Sequence, residues 1–243
     1  MEKIFKDKIA VITGGGGGIG SAVAEKLAAN GMKIALLGGN NVEKLSVAAD
    51  KVKTYSDCLV IPGDLTDMEF LAGAVQQTAE YFGKIDTVIN NAGVAQNTPF
   101  EAVSVAEFDH IMAINTKVPY FLTRFALPFL RRSDSATIIN IASVVAHAGY
   151  PQQSVYTASK HALLGMTKSI ANELYKENIR VHAVSPGGVY TDMVKISRPD
   201  LSPEGMIMPD DIAEIVYFFL AHRTNAVIDE ICVHRLSKEP FQI

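Results

Sequence analysis

The sequence predicts an α/β fold whose central sheet is mostly parallel and doubly wound, with helices on both of its faces. Short apolar runs rich in β-branched residues alternate with longer segments of helical periodicity, which is the order typical of parallel sheets. The apolar runs are nearly continuous, as expected of strands that are buried on both faces. With 243 residues the chain has the length of one α/β domain, so we expect a single domain over residues 1–243.

Seven apolar runs are the predicted strands, and the segments between them are long enough for crossover helices. The helix after the first strand should end at Asn30-Gly31, because a glycine after a helix is a common stop signal. The Pro- and Ser-rich stretch Lys195–Gly205 is predicted to be a loop. The helix after Pro209 has one apolar stripe, formed by Ile212, Ile215, Val216, Phe219 and Leu220. The strands are expected at Ile9–Ile12, Lys33–Leu37, Cys58–Ile61, Asp86–Asn90, Thr137–Ile141, Arg180–Val184 and Glu230–Val233.

Composition and charge exclude several classes of protein. The net charge is −4 and no block of Lys and Arg occurs, so nucleic-acid binding is not expected. The first residues are too polar for a signal peptide, and no run of about 18 apolar residues is present to cross a membrane. We therefore expect a cytoplasmic protein with no membrane contact. Cys58 and Cys232 lie in apolar runs and are expected to be buried free thiols.

A run of glycines separates the first strand from the first helix. Glycines at such a turn let the backbone approach a phosphate closely, and the free N–H groups of the helix N-terminus attract its charge. Two registers fit: Gly-x-Gly-x-x-Gly starting at Gly15, and Thr-Gly-x-x-x-Gly-x-Gly starting at Thr13. A plain flexible turn is a third interpretation. A Walker A phosphate loop is excluded, because no lysine follows Gly20.

The second strand ends at Gly38, Gly39 and Asn40, where dinucleotide-binding folds often select their cofactor. An acidic residue there accepts hydrogen bonds from the ribose of NAD, and a nearby arginine can pair with the 2′-phosphate of NADP. Neither is present. The missing carboxylate removes a repulsion against the phosphate, so NADP is slightly favoured. Asn40, Asn41 and Lys44 are candidate donors to it, or else plain surface residues.

Tyr156 and Lys160 are four residues apart in a helical pattern, so their side chains lie on one helix face. An ammonium near a phenol favours the phenolate and lowers the tyrosine pKa from about 10, which suits proton transfer at neutral pH. Ser143 lies just past the fifth strand, at the sheet edge where α/β folds hold their ligands. Its hydroxyl could hold a substrate oxygen beside the phenol, although a serine at a strand end is usually only a turn residue.

The motifs together follow one order along the chain. They are Thr13-Gly14-x-x-x-Gly18-Ile19-Gly20, Asn90-Asn91-Ala92-Gly93, Asn115, Ser143, Tyr156-x-x-x-Lys160 and Pro186-Gly187. This joint pattern, which is highly specific although each piece is common, resembles the short-chain dehydrogenase/reductase family from Lys8 to about Val233. The resemblance implies a Rossmann-like, doubly wound three-layer αβα sandwich with a mostly parallel sheet of about seven strands.

The resemblance implies an NAD(P)-dependent oxidoreductase that transfers a hydride between nicotinamide and a carbonyl or secondary alcohol. Tyr156 would be the general acid in reduction and the general base in oxidation. Lys160 would hold the nicotinamide ribose and lower the Tyr156 pKa. Ser143 would donate a hydrogen bond to the substrate oxygen. Asn115 and the residues around it would hold a water molecule that relays the proton. The cofactor supplies the hydride, and the protein supplies orientation and electrostatics.

The implied binding residues come from several parts of the chain. Those for the cofactor, NADP or NAD, are Gly14, Gly17, Gly18, Ile19, Gly20, Gly39, Asn40, Asp64, Leu65, Asn91, Ala92, Gly93, Tyr156, Lys160, Pro186, Gly187, Val189 and Thr191. The implied substrate pocket lies beneath a loop at about 193–208, and its residues are Ser143, His147, Tyr150, Gln153 and Met193. No spacing of His, Cys and Asp suggests a metal, and the nicotinamide mechanism needs none.

Three departures from the family pattern matter. Gly38 and Gly39 stand at the coenzyme-selecting positions, and Gly17 stands where an arginine is frequent, so the choice between NAD and NADP stays open. His182 stands where many members carry asparagine, and we interpret it as a packed structural residue. The C-terminus lacks the Asp-Gly-Gly ending common in members that reduce oxoacyl groups, and is more like members acting on small hydroxy acids, aldehydes or ketones.

Two other functions stay open beside this one. The first is reduction of a 3-oxoacyl thioester on an acyl carrier protein. The second is a non-catalytic NAD(P)-binding sensor or interaction protein, since fold does not fix function. The resemblance also implies a homodimer or homotetramer that pairs the helix of Tyr156 with the helix before it. The apolar stretch Pro119–Leu130 is either part of that interface or a buried crossover helix.

Overall fold

The computed structural model describes residues 3–39, 41–197 and 202–239. Within them, seven strands form one sheet: β1 (Ile9–Thr13), β2 (Lys33–Leu37), β3 (Cys58–Ile61), β4 (Thr87–Asn90), β5 (Thr137–Ile141), β6 (Arg180–Pro186) and β7 (Glu230–Val233). Their order across the sheet is β3-β2-β1-β4-β5-β6-β7, and all neighbouring pairs are parallel. The predicted doubly wound parallel sheet is confirmed.

Helices cover both faces of the sheet. They are α1 (Gly18–Ala29), α2 (Val42–Lys53), α3 (Met68–Phe82), α4 (Val105–Met112), α5 (Val118–Leu130), α6 (Ser154–Leu174), α7 (Asp192–Ser197) and α8 (Pro209–Ala221). The buried sides of α1, α2 and α8 form one core with the sheet, and those of α3, α5 and part of α6 form the other. The apolar stripe predicted for α8 lies in the first core, where Ile212, Val216 and Phe219 are buried. The layered architecture therefore follows the apolar periodicity of the sequence.

Each predicted strand is present, with ends that differ by at most two residues. The largest difference is at β6, which continues through Pro186 because this residue pairs with Val233 of β7. A proline in an apolar run normally marks the end of a strand, and this is why the sequence predicts an earlier end. The helix stop at Asn30-Gly31 is confirmed, since α1 ends at Ala29 with Asn30 as its C-cap.

The chain changes its winding direction between β1 and β4. β1 has β2 on one side and β4 on the other, so the connections that follow β1 and β4 leave in opposite directions. Such a switch point opens a crevice at the carboxyl edge of a parallel sheet. The glycine run after β1 and the Asn91–Gly93 segment after β4 face each other across this crevice.

Two predictions about local structure are wrong. The loop expected at Lys195–Gly205 begins as helix, because α7 extends to Ser197 with Asp192 in its first turn and an ion pair of 3.7 Å between Asp192 and Lys195. Residues 198–201 of that stretch lie outside the described residues. Cys232 is exposed rather than buried, because β7 is the edge strand of the described sheet. Cys58 is partly buried, and burial raises its pKa to about 11.

His182 has the structural role that the sequence predicts. It is buried on β6, and its ring stacks on Phe219 with 4.4 Å between the ring centroids. Its Nδ1 lies 2.7 Å from the Ile228 carbonyl oxygen, so Nδ1 carries the proton and donates it. Burial lowers the pKa of this histidine, which keeps the ring neutral at neutral pH.

The stretch Pro119–Leu130 forms most of α5, the crossover helix between β4 and β5. Leu122, Ala126 and Leu130 are fully buried in the second core, as one of the two interpretations requires. An interface on the outer side of α5 and the expected oligomer stay predictions, as does the cytoplasmic location. Among the described residues, no helix has both the length and the apolar character needed to cross a membrane.

Candidate active site

A cavity of about 440 Å³ opens at the carboxyl edge of the sheet, at the switch point. Its walls come from the loops after β1, β4, β5 and β6, from α6 and α7, and from the segment after β7. The predicted site residues that line it are Gly14, Gly17, Gly18, Ile19, Asn91, Ala92, Gly93, Ser143, Tyr150, Gln153, Tyr156, Lys160, Pro186, Gly187, Val189, Thr191 and Met193. The structure thus brings most of the predicted set to one place.

A hydrogen-bonded clasp holds the loops after β1 and β4 together. The Asn91 side-chain amide donates to the carbonyl oxygens of Thr13 and Gly14, at 3.0 and 3.1 Å. In return, the Thr13 hydroxyl oxygen accepts hydrogen bonds of 3.1 Å from the backbone N–H groups of Asn91 and Ala92. Asn91 therefore fixes the shape of the glycine loop besides lining the cavity.

The close packing of this loop favours the register that starts at Thr13. Gly14 has a left-handed backbone with φ of +64°, which glycine adopts without strain. A Cβ on Gly20 would lie 2.4 Å from the Gly14 carbonyl oxygen, closer than any real contact, whereas a Cβ on Gly17 would meet its nearest atom at 3.3 Å. Gly14 belongs only to this register, and the register does not require a glycine at position 17.

The start of α1 is suited to an anion such as the pyrophosphate of a dinucleotide. Gly17, Gly18 and Ile19 line the cavity at the first turn, and no side chain among the described residues caps this helix end. The backbone N–H groups there, together with the positive end of the helix dipole, attract a phosphate. The absence of side chains at positions 17 and 18 leaves the backbone accessible, so the loop fits the cofactor that the sequence implies.

Tyr156, Ser143 and Lys160 meet deeper in the cavity. Ser143 lies close enough to the Tyr156 hydroxyl to affect the tyrosine pKa, and Ser143 Oγ lies 3.4 Å from the Pro186 carbonyl oxygen. Lys160 is buried and donates a hydrogen bond of 2.8 Å to the Ile141 carbonyl oxygen. Its Nζ atom lies 5.9 Å from the centre of the Tyr156 ring, as expected of neighbours on one helix face.

Burial dominates the protonation of this group. It raises the pKa of Tyr156, and the Ser143 side chain offsets this rise only in part. Burial also lowers the pKa of Lys160 to about 8. The sequence predicts a lowered Tyr156 pKa, whereas desolvation of the phenolate in this cavity raises it. At neutral pH the tyrosine holds its proton and the lysine is still mostly charged.

Asn115 is a buried residue next to the cavity that positions parts of its wall through hydrogen bonds. It is buried in a π-helical turn, Ala113–Lys117, between α4 and α5. Its side chain exchanges two hydrogen bonds of 2.9 Å with the backbone of Val94 and donates a third to the Ser159 hydroxyl. Asn115 thereby ties the loop after β4 to the helix of Tyr156, although it does not itself line the cavity.

Several predicted cofactor contacts do not line the cavity. Gly20 lies behind the glycine loop, and Leu65 packs where a side chain on Gly38 would be. Asp64 is exposed, and hydrogen bonds from the Thr66 backbone and hydroxyl lower the pKa of its carboxyl group. Gly39 is not part of the cavity wall either. Asn40 lies outside the described residues.

His147 is directed away from the predicted substrate pocket. Its Nε2 lies 2.6 Å from a carboxylate oxygen of Glu230 on β7, and that oxygen also accepts a hydrogen bond from Ser185. Burial acts to raise the pKa of Glu230, but these hydrogen bonds outweigh it and the pKa is lowered. Cys232 Sγ lies 3.7 Å from His147 Nε2. These three side chains are ligand types of zinc sites, and their wide separation along the chain leaves no spacing signal in the sequence.

Two features of the site have no counterpart in the sequence predictions. The side-chain oxygen of buried Gln96 accepts hydrogen bonds from the N–H groups of Val155 and Tyr156, which fixes the first turn of α6. The segment after β7 brings His234, Arg235 and Lys238 to the cavity wall. Gln96 has no motif around it. The three basic residues are visible in the sequence, but only the fold shows that the chain end reaches the site.

Comparisons with known proteins agree with this geometry. A family model described as short chain dehydrogenase matches residues 8–202. Levodione reductase of Leifsonia aquatica is 35% identical over 203 residues, which are 82% of this chain and 76% of that protein. The 3α-hydroxysteroid dehydrogenase of Mediterraneibacter gnavus is 34% identical over 242 residues, covering 95% and 96%. The crystal structure of a metagenomic short-chain oxidoreductase in complex with NADP superposes with a TM-score of 0.83 at 30% identity, covering 96% of this chain and 98% of that one.

The glycine register can be tested with two alanine variants. Gly20→Ala introduces a methyl group against the Gly14 carbonyl oxygen, and we expect a loss of about 2–3 kcal/mol in the free energy of unfolding, as for overpacked sites. Gly17→Ala is the matched control and should cost less than about 1 kcal/mol. Urea unfolding followed by circular dichroism measures both. Equal losses in the two variants would contradict the register that starts at Thr13.

Proposed function

The chain belongs to the short-chain dehydrogenase family of oxidoreductases, and on this premise we propose that it transfers a hydride between NADP(H) and a carbonyl or secondary alcohol, with Tyr156 as general acid and base. One observation carries the proposal: Tyr156, Ser143 and Lys160 share a cavity with the uncapped N-terminus of α1. A phosphate-binding helix end beside a proton-transfer group is the combination that nicotinamide chemistry requires.

The cofactor would be held by residues along the whole cavity. The pyrophosphate would lie against the N–H groups of Gly18 and Ile19, and Lys160 would bond the nicotinamide ribose. The nicotinamide itself would lie along the segment after β6, whose cavity-lining residues include Pro186, Gly187, Val189 and Thr191. When bound, the nicotinamide supplies or accepts the hydride. All other steps fall to side chains of this chain.

Tyr156 would hold the proton that the substrate oxygen receives. In reduction, its hydroxyl donates that proton to the oxygen as the carbonyl becomes an alcohol, and Ser143 donates a hydrogen bond to the same oxygen. The positive charge of Lys160 stabilises the phenolate that remains. Asn115 and Gln96 act as positioning residues, because their hydrogen bonds fix the helix that carries Tyr156 and Lys160. In oxidation the same groups act in reverse.

The protonation state of Tyr156 at neutral pH fits the role of general acid in reduction. A tyrosine whose pKa is raised by burial starts in the protonated form, which is the form that a general acid needs. The lack of a carboxylate at the end of β2 supports NADPH as the reductant, since the 2′-phosphate meets no like charge there. Lys44 lines the cavity beside the glycine loop and adds a positive charge, which Asp192 balances at 2.7 Å.

The role of Tyr156 is tested by Tyr156→Phe, which removes the hydroxyl and keeps the ring. We expect kcat for reduction of the best carbonyl substrate to fall by about 10²–10⁴-fold, the usual contribution of a general acid. Binding of NADPH, followed by nicotinamide fluorescence, should change less than threefold (an expectation from the unchanged ring volume). A variant that retains turnover would contradict the role of Tyr156. A wild type that binds NADPH without turning over any carbonyl or alcohol would favour a cofactor-binding sensor instead.

The pH dependence of reduction should report Lys160. Because the pKa of Lys160 is about 8, its amine carries a positive charge below that pH and loses the charge above it. We expect kcat/KM, measured with NADPH and substrate both below saturation, to be level near neutral pH and to fall about tenfold per pH unit above about 8. Lys160→Arg is the matched variant, since arginine keeps its charge and should remove this fall. A wild-type profile that stays level to pH 10 would contradict the assignment.

A single carboxylate introduced at Gly39, at the end of β2, should reverse the preference for NADPH over NADH. Gly39 has φ of +86°, which aspartate and asparagine tolerate better than most residues. The nearest atom that the structure describes around a Cβ built there is the Asn41 nitrogen, at 3.8 Å. We expect Gly39→Asp to lower the ratio of kcat/KM for NADPH to that for NADH by about 30-fold or more, through repulsion of the 2′-phosphate. Gly39→Asn adds the same shape without the charge and should change the ratio about threefold at most. A wild type that prefers NADH would refute the proposed cofactor.

A further inference from the structure

Two basic side chains lie at the end of the cavity nearest Tyr150. Arg235 and Lys238 line this end, and within the described parts of the chain neither has a carboxylate oxygen within 4.0 Å. The acidic residue on the cavity wall, Asp192, is already paired with Lys44 and Lys195. Glu230, on the neighbouring strand, is held by Ser185 and His147.

Arg235 lies on the same wall as the proton-transfer group. Its side chain packs on the turn after β6, since a Cβ on Gly188 would lie 3.4 Å from Arg235 Cδ. That turn follows Pro186 directly, and the Pro186 carbonyl oxygen lies 3.4 Å from Ser143 Oγ. The one hydrogen-bonding partner of the guanidinium within the described residues is the thioether sulfur of Met206, at 3.6 Å. Sulfur is a weak acceptor, so most of the five donors of this arginine can still bind a ligand.

Lys238 is brought beside Arg235 by a tight turn. Its backbone N–H donates a hydrogen bond of 3.0 Å to the Arg235 carbonyl oxygen. Its Nζ atom lies 5.7 Å from the centre of the Tyr150 ring, which also lines the cavity. The aromatic face holds the ammonium by a cation–π contact and leaves its N–H donors free for an anion.

The segment that carries both cations is firmly attached to the sheet. β7 pairs with β6 up to Val233, and the Gly187 N–H donates to the Val233 carbonyl oxygen at 2.8 Å. The carboxylate of Glu230 adds side-chain bonds to Ser185 of β6 and to His147, four residues after Ser143. The positions of Arg235 and Lys238 relative to Ser143 are therefore fixed by the fold.

We propose that the substrate carries an anionic oxygen group, in the first place a carboxylate, which binds Arg235 and Lys238 while its carbonyl or alcohol oxygen lies at Ser143 and Tyr156. This rests on the proposed oxidoreductase function and adds the substrate class. A guanidinium binds a carboxylate or phosphate through two parallel hydrogen bonds, and a nearby ammonium adds a third. The two cations would orient the substrate, because only one end of the molecule is negative.

The test compares oxo acids with their uncharged methyl esters. The substrates are 2-oxobutanoate, 4-oxopentanoate and 5-oxohexanoate, each with its ester, and hydroxyacetone phosphate with hydroxyacetone to separate phosphate from carboxylate. With NADPH, we expect the best anion to have a kcat/KM at least about tenfold above that of its neutral counterpart, as a charged hydrogen bond typically provides. Neutral compounds that match or exceed the anions in wild-type protein would overturn the proposal.

Two variants assign the effect to the cations. Arg235→Gln and Lys238→Gln should each lower the ratio of acid to ester kcat/KM by about 10- to 30-fold, mainly through KM for the acid. Arg235→Lys keeps the positive charge but cannot form two parallel hydrogen bonds to a carboxylate. Its ratio of acid to ester kcat/KM should therefore lie between those of wild type and Arg235→Gln. Arg124→Gln, an exposed arginine on α5, is the control and should leave the ratio as in wild type. An unchanged ratio in the first two variants, or an effect on KM for NADPH alone, would contradict the proposal.

A binding experiment separates failure of this inference from failure of the proposed function. Protein saturated with NADP⁺ cannot reduce an oxo acid, so calorimetric titration with the acids measures binding alone. Acids that bind wild-type protein and lose at least tenfold in affinity in the Arg235→Gln, Lys238→Gln double variant support the anion site, even where no carbonyl is turned over. Absence of turnover would then count against the oxidoreductase function. Acids that do not bind, or that bind both proteins equally, would refute the anion site.

Discussion

The site depends on the clasp between Thr13 and Asn91 across the switch point of the sheet. One side-chain amide binds two consecutive carbonyl oxygens of the loop after β1, and one hydroxyl binds two consecutive N–H groups of the loop after β4. The first pair of bonds holds Gly14 in its left-handed conformation and so directs the start of α1 toward the cavity. The second leads into Gly93, beside which Asn115 and Lys160 lie. The same four hydrogen bonds therefore position both the start of α1, where a phosphate is proposed to bind, and the loop beside Lys160, where proton transfer is proposed.

The residues proposed for proton transfer, Tyr156 and Lys160, are buried, and this burial costs free energy because it removes water from their charged forms. Lys160 and Tyr156 are taken out of water, which disfavours the charged form of each, so the pKa of Tyr156 is raised and that of Lys160 is lowered to about 8. Such a pair stays in place only because its helix is fixed by other contacts: Gln96 at the first turn and Asn115 through Ser159. These supports are amides without charge, so they orient α6 without adding a further electrostatic shift. The result is a phenol that keeps its proton at neutral pH next to an ammonium that can stabilise its loss.

The strands could be predicted from local signals in the sequence, whereas most of the cavity wall was predicted from the resemblance to a known family. Buried parallel strands are continuous apolar runs, and the carboxyl ends of parallel strands necessarily meet at one edge. What the sequence could not provide depends on distant contacts. The direction in which His147 points is decided by Glu230, 83 residues away. The sign of the Tyr156 pKa shift is decided by burial, which a spacing of four residues does not reveal. Cys232 lies in an apolar run but on an edge strand, and only the strand order makes that distinction.

The residues proposed to recognise the substrate, Arg235 and Lys238, lie on a different part of the fold from the residues proposed to transfer the proton. Ser143 follows β5, an inner strand of the sheet, and Tyr156 and Lys160 lie on α6. The two cations come from a segment that follows the edge strand, where few other elements depend on its sequence. Side chains there can change without disturbing the core, while the backbone stays fixed through Val233 and Gly187. The chain has a net charge of −4, so two cations at one end of its cavity would concentrate the proposed attraction for an anion at that point. In the proposed function, the interior of the fold would thus set the reaction, and its edge would set the choice of substrate.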